Sequence, residues 1–191
     1  SLAGINAGNY PTGVAASFAG DTAYVTSNGT NSLNVSKATP TATLAVNNSP
    51  VTYDGAAHTA TVGISASSVP GTVSSILTGG AATQTNANTY AVTASFVPND
   101  STNYNTLTGL SAGDFVINKA TPTLSVTNSP VTYDGATHAA TVTGSVAGSP
   151  SNILPGASAT PPNAATYAVT ADFTSSDPNY SNLTGASAGD F

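Results

Sequence analysis

Tyr90, Val92, Ala94 and Phe96 stand at every second position of the run Asn88–Val97, with smaller or polar residues between them. A period of two puts such residues on one face of a β-strand. The same pattern of β-branched, aromatic and polar residues predicts strands over Thr43–Val46, Val51–Tyr53, Ala57–Ile64, Thr72–Leu77, Tyr90–Val97 and Asp114–Asn118. Turn-forming groups separate them: Asn48-Ser49-Pro50, Asp54-Gly55, Pro70-Gly71, Gly79-Gly80 and Pro98-Asn99-Asp100. Six or seven short strands in roughly 80 residues are what one β-sandwich needs.

That strand set is repeated. SPVTYDGA begins at 49 and, unchanged, at 129; TYAVTA begins at 89 and 166; SAGDF begins at 111 and 187. The linker KATPT begins at 37 and 119. Spacings that drift slightly between blocks place small insertions in surface loops. The first 40 residues correspond only to the second half of the unit, with Tyr10 matching Tyr90 and Phe18 matching Phe96. Three segments are therefore expected: 1–40 as the C-terminal part of one repeat, 41–120 as a complete repeat, and 121–191 as a repeat without its last strand. The preferred explanation is a piece of a longer polypeptide. The alternative is completion of the cut repeats by strands from another chain.

Composition narrows the class. The chain has two Lys, no Arg, eight acidic residues that are all Asp, and a formal net charge of −6. Without a basic patch, phosphate-driven nucleic-acid binding is excluded. Glu, Arg and Met are absent, so a helical fold is not expected. No Cys is present, which removes disulfides, thiolate metal sites and Cys nucleophiles. No apolar run reaches the roughly 18 residues of a membrane-spanning helix, so no membrane insertion is expected of this segment. At 39% hydrophobic residues and low net charge, the composition is not that of a disordered chain.

Tyr90 opens a late strand two residues before the core position Val92, and Tyr167 stands in the same relation to Val169. This is the form of the tyrosine corner of immunoglobulin-like sandwiches, and it predicts a buried Tyr90 whose hydroxyl bonds backbone a few residues upstream. VTYDG, N-A-x-T-Y-x-V-T-A-x-F, the D-x-x-N-Y and D-P-N-Y turns and the NKATPT linker occur in a fixed order. In that order they resemble the bacterial immunoglobulin-like repeats of the YDG/MBG type found in large surface adhesins. The resemblance covers essentially the whole chain. It implies an all-β architecture of tandem immunoglobulin-like β-sandwich repeats and an extracellular, cell-surface location; it supplies no ligand.

Candidate chemistry is sparse. GLSAG at 109–113 and GASAG at 185–189 fit the G-x-S-x-G pattern, but the pattern has meaning only at a strand–turn–helix elbow. A Gly/Ser-rich turn before the last strand is the reading adopted. Asp54-Gly55 and Asp134-Gly135 belong to turns in which Asp bonds its own backbone and Gly takes positive φ. Asp100 and Asp177 precede Tyr104 and Tyr180, and Asp114 and Asp190 precede the last strand. With Asn side chains and backbone carbonyls these six aspartates are candidate Ca²⁺ ligands, although no contiguous Ca²⁺ loop is present. His58 and His138 read as structural residues of a strand or the surface. Lys37 and Lys119 read as junction residues, with an isopeptide bond to Asn118 as the alternative for Lys119.

The expected function is a structural spacer or stalk segment, not an enzyme. Neighbouring repeats of the same polypeptide are the expected partners. The alternatives are a filament subunit that exchanges strands with other copies of itself, and a glycan-binding module using Tyr24, Tyr104 and Tyr180.

Overall fold

The computed structural model describes residues 4–191, and among these residues every regular element is a β-strand. In chain order they are β1 (Gly8–Phe18), β2 (Ser27–Val35), β3 (Ala42–Val46), β4 (Val51–Thr52), β5 (Val62–Ser67), β6 (Gly71–Thr78) and β7 (Asn88–Pro98). Then follow β8 (Leu107–Asn118), β9 (Leu124–Val126), β10 (Val142–Gly144), β11 (Gly148–Pro155), β12 (Ala168–Ser175) and β13 (Leu183–Asp190). Two compact units result. One contains the residues up to Asn47 with Ala60–Ala82 and Ala91–Gly113; the other contains Asn48–Thr59, Thr83–Tyr90 and Asp114–Phe191.

In the first unit β1 and β2 form an antiparallel hairpin, and β3 pairs antiparallel with β5 from Ala42↔Ser67 to Val46↔Val62. The hairpin is largely exposed: Phe18 is 46% accessible, whereas its counterpart Phe96 is at 0%. β6 pairs antiparallel with β7, which is followed in the sheet by β8. Val92, Ala94 and Phe96 of β7 are buried, so the alternation in the sequence becomes the core face of a strand. Gly71 faces that core. A β-carbon there would lie 2.5 Å from Phe96 Cζ and 2.6 Å from the Val97 carbonyl oxygen. The missing side chain is what lets the Phe96 ring lie flush against β6.

In the second unit β9 and β10 form one antiparallel sheet, and β11, β12 and β13 form another in that order. Val142 of the first sheet and Ala140, just before β10, pack with Val169, Ala171 and Ala188 from the second, and Leu124, Val126, Ile153 and Phe191 close over them. This is a small β-sandwich. Its centre is Ala and Val, with Phe173 buried beside Gly144 and Gly148. The end of β8 also lies in this unit and pairs in parallel with β4, Val51↔Ile117 and Thr52↔Asn118. The Val116 amide donates to Ser49 Oγ at 2.9 Å and the Tyr53 amide to the Asn118 carbonyl at 2.9 Å. Val131-Thr132, the counterpart of β4, is not in a strand, and Val131 is 43% exposed.

Three local expectations change. Residues 57–61 are not part of β5; His58 makes only an isolated bridge to Gln84, and β5 runs on through the small residues Ser65, Ala66 and Ser67. These face water, so no apolar alternation signalled them. The Gly/Ser-rich segment 109–113 is not a turn but the middle of β8, with Gly109 (φ 66°) and Gly113 (φ 92°) bending the strand without ending it. Tyr90 is half-buried, not buried.

Candidate interaction site at the repeat junctions

A short Asp-containing turn begins the construction of the site. In Asp100–Tyr104 the Asn103 amide and its Nδ2 both donate to the Asp100 carboxylate, at 3.1 and 2.8 Å. These bonds hold the Asp100 carboxyl below the usual carboxylate range, the Asn103 side chain first. In the shorter turn at Asp177 the Asn179 amide donates to Asp177 Oδ1 at 2.9 Å. Each turn presents one asparagine carboxamide, a donor and an acceptor fixed in one plane.

The carboxamide meets the Asn-Ala pair that precedes the tyrosine corner of the preceding repeat. The Ala7 amide donates to Asn103 Oδ1 at 2.7 Å, and Asn103 Nδ2 donates to Asn6 Oδ1 at 3.0 Å. In the other unit the Ala87 amide donates to Asn179 Oδ1 at 2.7 Å, and Asn179 Nδ2 approaches Asn86 Oδ1 at 3.4 Å. The tyrosines brace the acceptor side from behind. Tyr10 Oη donates to the Asn6 carbonyl at 2.8 Å, and Tyr90 Oη to the Asn86 carbonyl at 2.9 Å. Tyr167 Oη does likewise to the Asn163 carbonyl at 3.0 Å.

The linker alanine is pinned to the same asparagine by backbone. Ala38 donates to the Asn103 carbonyl and accepts from the Asn105 amide, at 2.8 and 2.9 Å. Ala120 makes the matching pair with Asn179 and Ser181, both at 2.9 Å. Lys37 Nζ donates to the Ser101 carbonyl at 2.6 Å, and Tyr53 meets Tyr180 edge to face with ring centroids 5.6 Å apart. One asparagine thus ties together a turn, a linker and the preceding corner, and the arrangement occurs twice.

The aspartates of the sequence reading are dispersed. Asp54 and Asp134 each accept the amide two residues on, Ala56 at 2.8 Å and Ala136 at 2.9 Å, and each lies 3.0 Å from a histidine Nε2, His58 or His138. The amide bond, ahead of the imidazole, holds each carboxyl below its usual range. Gly55 and Gly135 take φ of 83° and 86°, as such turns require. Asp114 and Asp190 do not precede a last strand: both are exposed, Asp114 within β8 and Asp190 at the end of β13. Among the described residues no three His, Cys, Asp or Glu side chains converge as metal ligands, so the six aspartates are not brought to one centre. Ser111 and Ser187 lie within β8 and β13, not at an elbow.

The MBG domain matches residues 42–121 and again 122–191. The chain belongs to the MBG domain family. No curated protein and no solved structure matches it significantly. The two MBG repeats meet at Ala120–Thr121–Pro122, the linker held by Asn179. The sequence reading identified the N-A-x-T-Y and D-x-x-N-Y motifs but missed that they bind one another. Their joint recurrence in fixed order was the available signal.

Proposed function

We propose that this chain is an extracellular structural spacer, a segment of a repetitive cell-surface protein in which MBG repeats are joined with defined geometry, and not an enzyme. The observation that carries this reading is the asparagine clasp, formed in the same way at Asn103 and at Asn179. A flexible string of beads needs no such contact, since a few polar linker residues suffice. A spacer that keeps successive domains in register does need one, and a carboxamide reading a backbone amide is well suited because it adds neither charge nor a large apolar patch. The polar, nearly uncharged Thr/Ser/Asn surface fits a segment whose task is to separate, not to adhere. Membership of the MBG family supports the surface location.

The test is ¹⁵N relaxation on the full chain, with and without Asn179→Ala, together with a glycan array. The spacer reading expects coupled tumbling of the repeats flanking the clasp, faster independent motion in the variant, and no glycan retained. Independent tumbling in the unmodified chain, or saturable glycan binding, refutes it.

A further inference from the structure

In the second unit a cavity of about 270 Å³ lies beside the third tyrosine corner, with Tyr133, Asn163, Ala164 and Tyr167 on one side. Ser129 and Val131 form another stretch of its wall. In the preceding repeat, the counterparts of Ser129 and Val131 receive Val116–Asn118, and the counterparts of Asn163, Ala164 and Tyr133 receive Asn179 and Tyr180. The corner itself is already set, because Tyr167 Oη holds the Asn163 carbonyl at 3.0 Å, as Tyr10 and Tyr90 hold theirs. Among the described residues nothing bonds the Ala164 amide or the Asn163 side chain. Tyr133 is 61% exposed, while its counterpart Tyr53 is half-buried against Tyr180.

The geometry points to the Asn163-Ala164 corner with Tyr133 as a docking site for the Asp-x-Asn-Tyr turn of a further MBG repeat. The inference rests on the spacer reading and names what the spacer recognises. The occupant is specified by three complementary groups. The Ala164 amide calls for an acceptor and Asn163 Oδ1 for a donor; one asparagine carboxamide is both. Tyr133 calls for an aromatic edge on the next residue, which the Tyr of the turn provides. Both turns carry Asn followed by Tyr, Asn103-Tyr104 and Asn179-Tyr180. The carboxamide clasp is built at both, and the aromatic contact is made at the second, Tyr53 with Tyr180, so the site continues an interface the chain already builds. The first turn of the chain shows the discrimination. Asp21 caps it through the Ala23 and Tyr24 amides at 2.7 and 2.8 Å, but Ala23 stands where the others carry Asn. A second copy of the chain offering that turn would leave both polar groups of the corner unmatched, so end-to-end association through Asp21–Tyr24 is not the use of this site.

The test extends the full chain after Phe191 with another copy of residues 116–191 and follows amide exchange by NMR. The Ala7 and Ala87 amides, already clasped, are internal controls and exchange slowly in both chains. The Ala164 amide is expected to slow at least about tenfold in the extended chain, as for a newly made buried hydrogen bond. Asn179→Ala placed only in the added copy returns it to its original rate. Exchange at Ala164 that is unchanged by the extension overturns the inference. So does protection that survives Asn179→Ala, since the added Val-Ile-Asn-Lys strand alone would then fill the cavity. If that variant loses the added copy's own β12 protection, Asn163→Ala decides instead. It is expected to shift the Nδ2 proton resonances of Asn179 in the added copy, and an unshifted carboxamide refutes the site. Slow exchange at Ala7 and Ala87 with fast exchange at Ala164 would sink this inference alone and leave the spacer reading standing.

Discussion

Gly71→Ala is the sharpest perturbation of the fold, because two opposing effects predict opposite signs. A Gly-to-Ala change at unstrained φ normally stabilises by about 0.4–1 kcal/mol, through lost freedom in the unfolded chain. Gly71 has no positive φ to protect. Its new β-carbon would sit 2.5 and 2.6 Å from Phe96 Cζ and Cε2, and 2.6 Å from the Val97 carbonyl oxygen. Phe96 is fully buried, and the carbonyl belongs to the neighbouring strand, so neither can simply swing away. Overpacking of this kind costs about 1–3 kcal/mol, which outweighs the entropic gain. Phe96→Ala alone should cost about 3–5 kcal/mol as a large aromatic truncation. With the ring gone, two of the three close contacts disappear, so the double variant should be more stable than the sum of the single losses implies, by at least about 0.5 kcal/mol. Urea unfolding followed by circular dichroism, with amide exchange at Val92 and Ala94 as a local probe, measures all four corners of the cycle. A neutral or stabilising Gly71→Ala, or strict additivity, would refute the packing argument. Gly148→Ala against Phe173 should behave alike in the second MBG repeat, where the crowding is of the same kind.

Tyr90→Phe removes only the hydroxyl that donates to the Asn86 carbonyl at 2.9 Å, and should lower stability by about 0.5–1.5 kcal/mol while speeding exchange at the Ala87 amide. Unchanged exchange there would mean that the tyrosine does not brace the clasp. Ser49→Ala deprives the half-buried Val116 amide of its acceptor at 2.9 Å and should cost about 1–3 kcal/mol; a loss below that range in urea unfolding would show that water replaces the hydroxyl. Acid should weaken the fold in a defined window. Asp54, Asp100, Asp134 and Asp172, the last accepting from the Asn152 carboxamide and the Gly185 amide, all have folded-state carboxyl groups held below the ordinary value of 3.8 by donated hydrogen bonds. Their contribution is therefore complete above that value and is lost as pH falls through the lower folded-state values. Stability measured from pH 6 downward should stay flat with respect to these groups until about pH 4–5 and then decline; a decline already complete above that range would assign acid sensitivity to other groups.

The linear pattern determined the class of this protein. Alternation in β7, turn residues between short apolar runs and two identical copies of SPVTYDGA follow from local steric and solvation preferences, which are written residue by residue. They are enough to specify tandem all-β repeats of the MBG family. The strand limits were less legible. The outer half of β5 is small and mostly polar because it faces water, and the bent centre of β8 contains glycines that look like a turn when the partner strand is not known. Pro70-Gly71 likewise has the form of a turn, yet Gly71 is there because Phe96, 25 positions further on, occupies the space a side chain would take. The clasp was least legible of all. Asn86-Ala87 and Asn179 are 92 to 93 residues apart, and each alone is an ordinary corner or turn signal. A hydrogen bond between a backbone amide and a distant carboxamide leaves no periodicity in the chain, because its partners are chosen by tertiary position and not by spacing. Only the folded structure could show that the residues closing one MBG repeat are the ones that receive the next.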